Sequence, residues 1–177
     1  MEPHVNALVT QFTQLAQQCS LDHATVLHID TEHSYFYQTA TQQLVTVTVG
    51  YQRVASRFFQ HTPPNPDDLE YGINYIEDQI ERAIPTLGPI SQLVTQQDFL
   101  IQLAHLAGVQ PSATMQLPRE QLERIFGYYA EISQGRPPLP SEPDVSREFY
   151  AKLLIIREYI HHLKVPTLTL LSMAPLS

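Results

Sequence analysis

Asp30, Glu32 and His33 fall within four positions of one another, directly after a short apolar run. Strand ends are where sites form in α/β sheets. Two carboxylates and an imidazole there could share acid–base work or hold a cation. No further ligand can be assigned by spacing, so a solvated turn is the competing reading. Glu158-Tyr-Ile-His161 has the i,i+3 spacing used in di-iron bundles. Those sites need two such motifs with further carboxylates, and this chain carries one. His161 and His162 read instead as last-turn residues that complement the helix dipole. Adjacent helical residues point about 100° apart, which keeps the two rings from sharing one ion. Cys19 is the only cysteine, which excludes an intramolecular disulfide and any multi-cysteine zinc site. Nothing near it would lower its pKa, so it reads as a small buried hydrophobe. The chain contains no Ser/His/Asp triad motif, Walker loop or dinucleotide fingerprint.

A chain of 177 residues suits one domain, here 1–177. It is 43% hydrophobic and only 16% charged, which excludes a disordered acidic tail. Eighteen acidic against ten basic residues give −8, with two lysines in total. That balance argues against nucleic acid and against acidic membranes, both of which need clustered cations. The N-terminus lacks a basic, then apolar, leader pattern, and no window reaches ~18 apolar residues. A soluble, cytoplasmic protein is the expectation.

Val5, Leu8, Val9, Phe12, Leu15, Ala16 and Cys19 recur at helical spacing, predicting an N-terminal helix over 4–19 within residues 1–20. Strand-like runs follow at 24–30, 34–39 and 44–50, the last with Val45, Val47 and Val49 alternating with Thr46 and Thr48. Asn65, Pro66, Asp67 and Asp68 mark a helix start, and Pro85 marks its end. Leu69, Ile73, Ile76, Ile80 and Ala83 form its buried stripe, and Glu70, Glu77 and Glu81 fall near one solvated face. A strand over 90–95 and helices over 97–107, 118–133 and 145–163 follow, the last capped by Asp144. A strand over 167–172 closes the chain. The aromatics Tyr35, Phe36, Tyr37, Phe126, Tyr128 and Tyr129 have no basic neighbours and read as core or interface. The order α-βββ-α-β-ααα-β predicts an α/β mixed sheet with helices packed on it.

That order is that of a ribonuclease H-like, actin-like half-domain. The segments VLHIDTEHSYFY (26–37), VTVGYQRVASRFF (47–59) and PPNPDDLEYGINYIEDQIERA (63–83) resemble the second domain of the exopolyphosphatase and pppGpp-phosphatase (Ppx/GppA) family. LPREQLERIFGYYAEIS (117–133) and SREFYAKLLIIREYIHHLKVPTLTLLS (146–172) extend the likeness to residues 24–172. The resemblance implies a phosphate cleft lined by glycine loops, whose backbone N–H groups approach phosphate oxygens unhindered.

Where the family has its Asp-hydrophobic-Gly-Gly-Gly-Ser loop, this chain has His28-Ile29-Asp30-Thr31-Glu32-His33-Ser34, and it has no glycine before Gly50. Glu32 puts negative charge where a phosphate would rest. The second loop aligns with Val94-Thr95-Gln96-Gln97-Asp98, again without glycine, and residues 172–177 replace a final glycine-containing loop. Arg147 matches the family's arginine. The family's first domain, which supplies the catalytic carboxylate, has no counterpart in 177 residues. The implied protein is a family relative with a vestigial cleft at His28, Asp30, Thr31, Glu32, His33, Ser34, Thr95, Gln96, Gln97 and Arg147. It would need no cofactor, and it would act as a homodimer or with a protein partner, with a small anionic ligand as a further option. Open edge strands, expected at 44–50 and 167–172, motivate the dimer. The alternative is a phosphohydrolase or anion-binding protein completed by a partner subunit or by a metal at Asp30 and Glu32.

Overall fold

The computed structural model describes residues 2–172; all but Ser172 of the final segment expected over 172–177 lies outside the described residues. Three antiparallel strands, β1 (Thr25–Ile29), β2 (Ser34–Gln38) and β3 (Gln43–Val47), form the predicted meander. β4 (Leu93–Thr95) and β6 (Thr167–Leu171) join in parallel beside β1, and β5 (Thr114–Pro118) pairs antiparallel with β6. The sheet order is β3-β2-β1-β4-β6-β5. The C-terminal strand is therefore interior, not an edge as expected. The outer place belongs to β5, a five-residue segment in which only Met115 and Leu117 are buried, too short a pattern to separate from the helix that follows.

The strands' alternation sends Leu27, Ile29, Phe36, Val45 and Val47 to one face and Val26, Tyr35 and Tyr37 to the other. On the second face lies α1 (Pro3–Gln18), docked by Leu8, Phe12 and Leu15. Cys19, expected on that stripe, is exposed. The helix stops at Gln18 and Ser20 takes a positive φ of 53°, which carries position 19 off the sheet.

The first face carries the main core. Its centre is α6 (Arg147–His162), where Leu153, Leu154, Ile155, Ile156, Tyr159 and Ile160 are all buried. A helix apolar on nearly every side must be covered on nearly every side. The sheet lies beneath it, with α2 (Tyr51–Phe58), α3 (Pro66–Leu87) and α5 (Arg119–Ser133) around it. Ser146 caps α6, its Oγ accepting the Phe149 N–H at 3.1 Å; the expected cap, Asp144, instead accepts the Ser146 N–H at 2.9 Å. α4 (Asp98–Leu106) ends before Gly108, whose φ of 95° favours a residue without Cβ.

Two features of the helical layer differ from expectation. α2 was absent from the sequence reading, because only Val54 and Ala55 of its eight residues are fully buried. α3 continues through Pro85 to Leu87. Proline removes one helical hydrogen bond there, but the position is exposed, and burial of Leu87 draws the final turn onto the core. No helix among the described residues is long and apolar enough to cross a membrane.

Candidate functional site

β1 and β4 run parallel, with Thr25 opposite Leu93 and Val26 opposite Val94, so both strands end toward the same edge of the sheet. From β1 the chain turns to β2 on one side; from β4 it crosses toward β5 and β6 on the other. Such a switch point opens the crevice in which open α/β sheets bind ligands. The turn that follows Ile29 and the Thr95–Gln97 segment meet at this crevice, where Gln97 bonds Ile29.

The first turn is closed on itself. The Asp30 N–H donates to the His33 carbonyl at 2.8 Å, and Asp30 Oδ1 accepts the N–H groups of Glu32 at 2.7 Å and His33 at 2.6 Å. Burial pushes the Asp30 carboxyl up, but the His33 and Glu32 N–H groups and the Tyr35 hydroxyl outweigh it and hold the pKa below the ordinary value. Tyr35 is correspondingly pushed up to about 12, by burial first and then by the Asp30 charge.

The start of α2 presses on the same turn. The Tyr51 N–H donates to the Asp30 carbonyl at 3.1 Å, and Gln52 and Arg53 both donate to the Thr31 carbonyl. The Arg53 guanidinium sits 2.9 Å from Glu32 Oε2, compensating the charge that the sequence places at the turn. Sequence reasoning passed over Arg53 as a site residue; its signal was a cation three positions after the glycine that ends an alternating strand.

Gln97 fills the crevice between the two strand ends. Its Oε1 accepts the Ile29 N–H at 2.7 Å and its Nε2 donates to the Ile29 carbonyl at 2.8 Å. Its own N–H reaches buried Thr95 Oγ1 at 3.3 Å, and Gln96 lies half-buried beside it. The amide thus pairs with β1 as a neighbouring strand would. Gln97→Ala is expected to destabilise the protein by about 1–3 kcal/mol, since both Ile29 groups lose their partner; urea unfolding monitored by circular dichroism measures it.

The remaining predicted residues stand apart. His28 points to the other face, packed between Phe12 and Tyr35 with ring centroids 6.1 and 6.3 Å away. Burial lowers its pKa, against an opposing pull from Asp30. Ser34 is fully buried, donating to the Val49 carbonyl at 2.6 Å and accepting the Tyr159 hydroxyl at 2.7 Å. Arg147 is committed elsewhere: it donates to the Gln60 carbonyl at 2.6 Å, the His61 carbonyl at 3.3 Å and Thr62 Oγ1 at 3.1 Å, holding the α2–α3 loop. Among the described residues, Asp30 and Glu32 belong to no group of three His, Cys, Asp or Glu ligand atoms close enough to share a metal ion.

No family model matches the sequence, and no curated protein matches it. Solved structures do. A Ppx/GppA phosphatase of Aquifex aeolicus, in its type II variant, is 14% identical with a TM-score of 0.67, over 89% of this chain and 56% of that one. An exopolyphosphatase from Cytophaga hutchinsonii is 18% identical with a TM-score of 0.65, over 85% and 54%. An exopolyphosphatase-like protein is 10% identical with a TM-score of 0.67, over 85% and 54%. The chain spans about half the length of these structures. Its six-stranded mixed sheet and surrounding helices have the actin-like, ribonuclease H-like fold of one half of the Ppx/GppA exopolyphosphatases.

Proposed function

We propose that the chain is a relative of the Ppx/GppA enzymes that has lost the phosphate cradle and serves as a non-catalytic binding or interaction module. The supporting observation is where the backbone donors at the switch point go. The N–H of Ile29 is taken by Gln97, that of Asp30 by His33, and those of Glu32 and His33 by Asp30. The N–H groups of Tyr51, Gln52 and Arg53 end on the Asp30 and Thr31 carbonyls. A phosphate binds such a loop through free N–H groups. Here it would have to displace internal hydrogen bonds while facing Glu32 and Asp30.

The test is direct. Incubation with polyphosphate, pppGpp or ATP, with Mg²⁺ or Mn²⁺, is expected to give no turnover, and calorimetric titration with the same anions is expected to give no heat of binding. Turnover abolished by Asp30→Asn would overturn the reading. The module acts as a homodimer in this proposal. Among the described residues, β3 and β5 are the outer strands of the sheet, whose outward backbone groups a second copy can pair. Light scattering should then give twice 20.2 kDa; a persistent monomer at high concentration removes that part.

A further inference from the structure

α3 and α6 pack side by side, and ligand atoms of Glu77, Glu158 and His162 there lie within 4.8 Å of one another. His162 Nε2 is 3.2 Å from Glu77 Oε1 and 3.5 Å from Glu158 Oε2. That nitrogen is shielded from solvent and has no hydrogen-bond partner. At these distances neither carboxylate of the described residues makes a hydrogen bond to it. A zinc ion bound at about 2.0–2.2 Å to each atom in tetrahedral geometry sets its ligands about 3.4 Å apart. The two observed separations bracket that distance.

The surroundings fit the same chemistry. His162 Nδ1 lies 3.5 Å from Glu81 Oε1, one helical turn from Glu77. A metal-binding histidine commonly gives its other ring N–H to a carboxylate, which fixes the tautomer that leaves Nε2 free. Glu158 is only 3% exposed; its Oε1 accepts from Arg157 at 2.8 Å, and Oε2 faces the histidine. The carboxyl groups of Glu77, Glu81 and Glu158 outnumber the one nearby cation, Arg157, which also pairs with Glu123, so a dication adds compensating charge. The Glu158–His161 spacing noted in the sequence is not the pair that converges: His161 Nδ1 instead meets the Arg119 guanidinium at 2.5 Å.

We propose that Glu77, Glu158 and His162 bind a divalent transition-metal ion of the zinc type, with Glu81 orienting the histidine. Mixed imidazole and carboxylate donors select such an ion over Mg²⁺ or Ca²⁺. The ion would clamp α3 to α6, and this site stands independently of the switch-point crevice. The experiment is calorimetric titration of EDTA-stripped protein with ZnCl2. One tight ion per chain is expected, together with a higher melting temperature. Glu77→Gln and His162→Gln should each lower affinity by more than about 100-fold, and Glu81→Gln by about 10–100-fold. His161→Gln should leave it unchanged. Glu77 is half-buried and Gln keeps its size, so its variant is expected to keep the fold, which circular dichroism checks; Co²⁺ loaded in place of Zn²⁺ should give visible absorption that His162→Gln abolishes. Absence of one-to-one uptake, or wild-type affinity in either Glu77→Gln or His162→Gln, overturns the proposal.

Discussion

Gly50→Ala is expected to destabilise the protein by about 3 kcal/mol, lowering the melting temperature by roughly 6–12 °C for a chain of this size. Gly50 has a φ of −132°, extended backbone that any residue adopts. The requirement is space. A Cβ there would overlap the Thr31 carbonyl and the Glu32 nitrogen, which are backbone atoms with no rotamer to move. Relief means parting α2 from the β1–β2 turn, with loss of the bonds from Tyr51, Gln52 and Arg53. Gly127→Ala is the control, since a Cβ there meets nothing within 4 Å. It lies inside α5 and should stabilise by about 0.5–1 kcal/mol. Thermal melting by circular dichroism separates the two; a Gly50→Ala melt within a degree of wild type would show that α2 does not press on the turn.

Asp68→Ala should cost about 2–4 kcal/mol, because one buried carboxylate organises both the α3 N-terminus and the preceding loop. Its Oδ2 accepts from the Gln60 N–H at 3.1 Å, the His61 N–H at 2.9 Å and the Asn65 N–H at 3.4 Å, and lies 3.0 Å from His61 Nδ1. Asn65 Oδ1 in return accepts the Asp68 N–H at 2.8 Å, completing a capping box. Burial alone would raise the carboxyl pKa, but the His61 N–H, the His61 ring and the Asn65 N–H bring it below the ordinary value. A lowered folded pKa means the stabilisation is present above the unfolded value of about 4 and is lost as pH falls through the folded one. The stability gap between wild type and Asp68→Asn should therefore be full at pH 7 and close under strong acid. Glu158 has the opposite sign: burial first, and the Glu77 charge with it, raise its pKa. Its contribution is present at low pH and fades as pH rises through that raised value. Urea unfolding at stepped pH reads both; a gap for Asp68→Asn that does not change with pH would remove the ionic part of the argument.

The helical stripes of α1, α3, α4, α5 and α6 and the meander of β1–β3 were readable because each buries a repeating face, and period 3.6 or 2 is written along the chain. α2 and β5 were not. In α2 the two buried residues are adjacent and show no helical repeat, and in β5 the buried pair repeats only once, so it is their neighbours that define them. The same limit applied to residues chosen for chemistry. The resemblance placed 28–34 and 95–97 at one crevice. It did not show that the Gln97 amide would occupy that crevice, or that Arg147 would be spent on the loop at 60–62.

By itself the sequence determined the order of the principal elements, the acidic balance, the single thiol and the absence of any glycine before Gly50. Those are properties of composition and spacing, and they already deny the β1–β2 turn a bare phosphate-binding backbone. Tertiary structure alone decided that β5 rather than β6 forms an edge, that Gln97 bonds Ile29, and that His162 faces Glu77. Gln97 and Ile29 are 68 positions apart. A polar side chain can satisfy itself on almost any backbone group, so its partner is selected only when the whole core sets which groups arrive within reach.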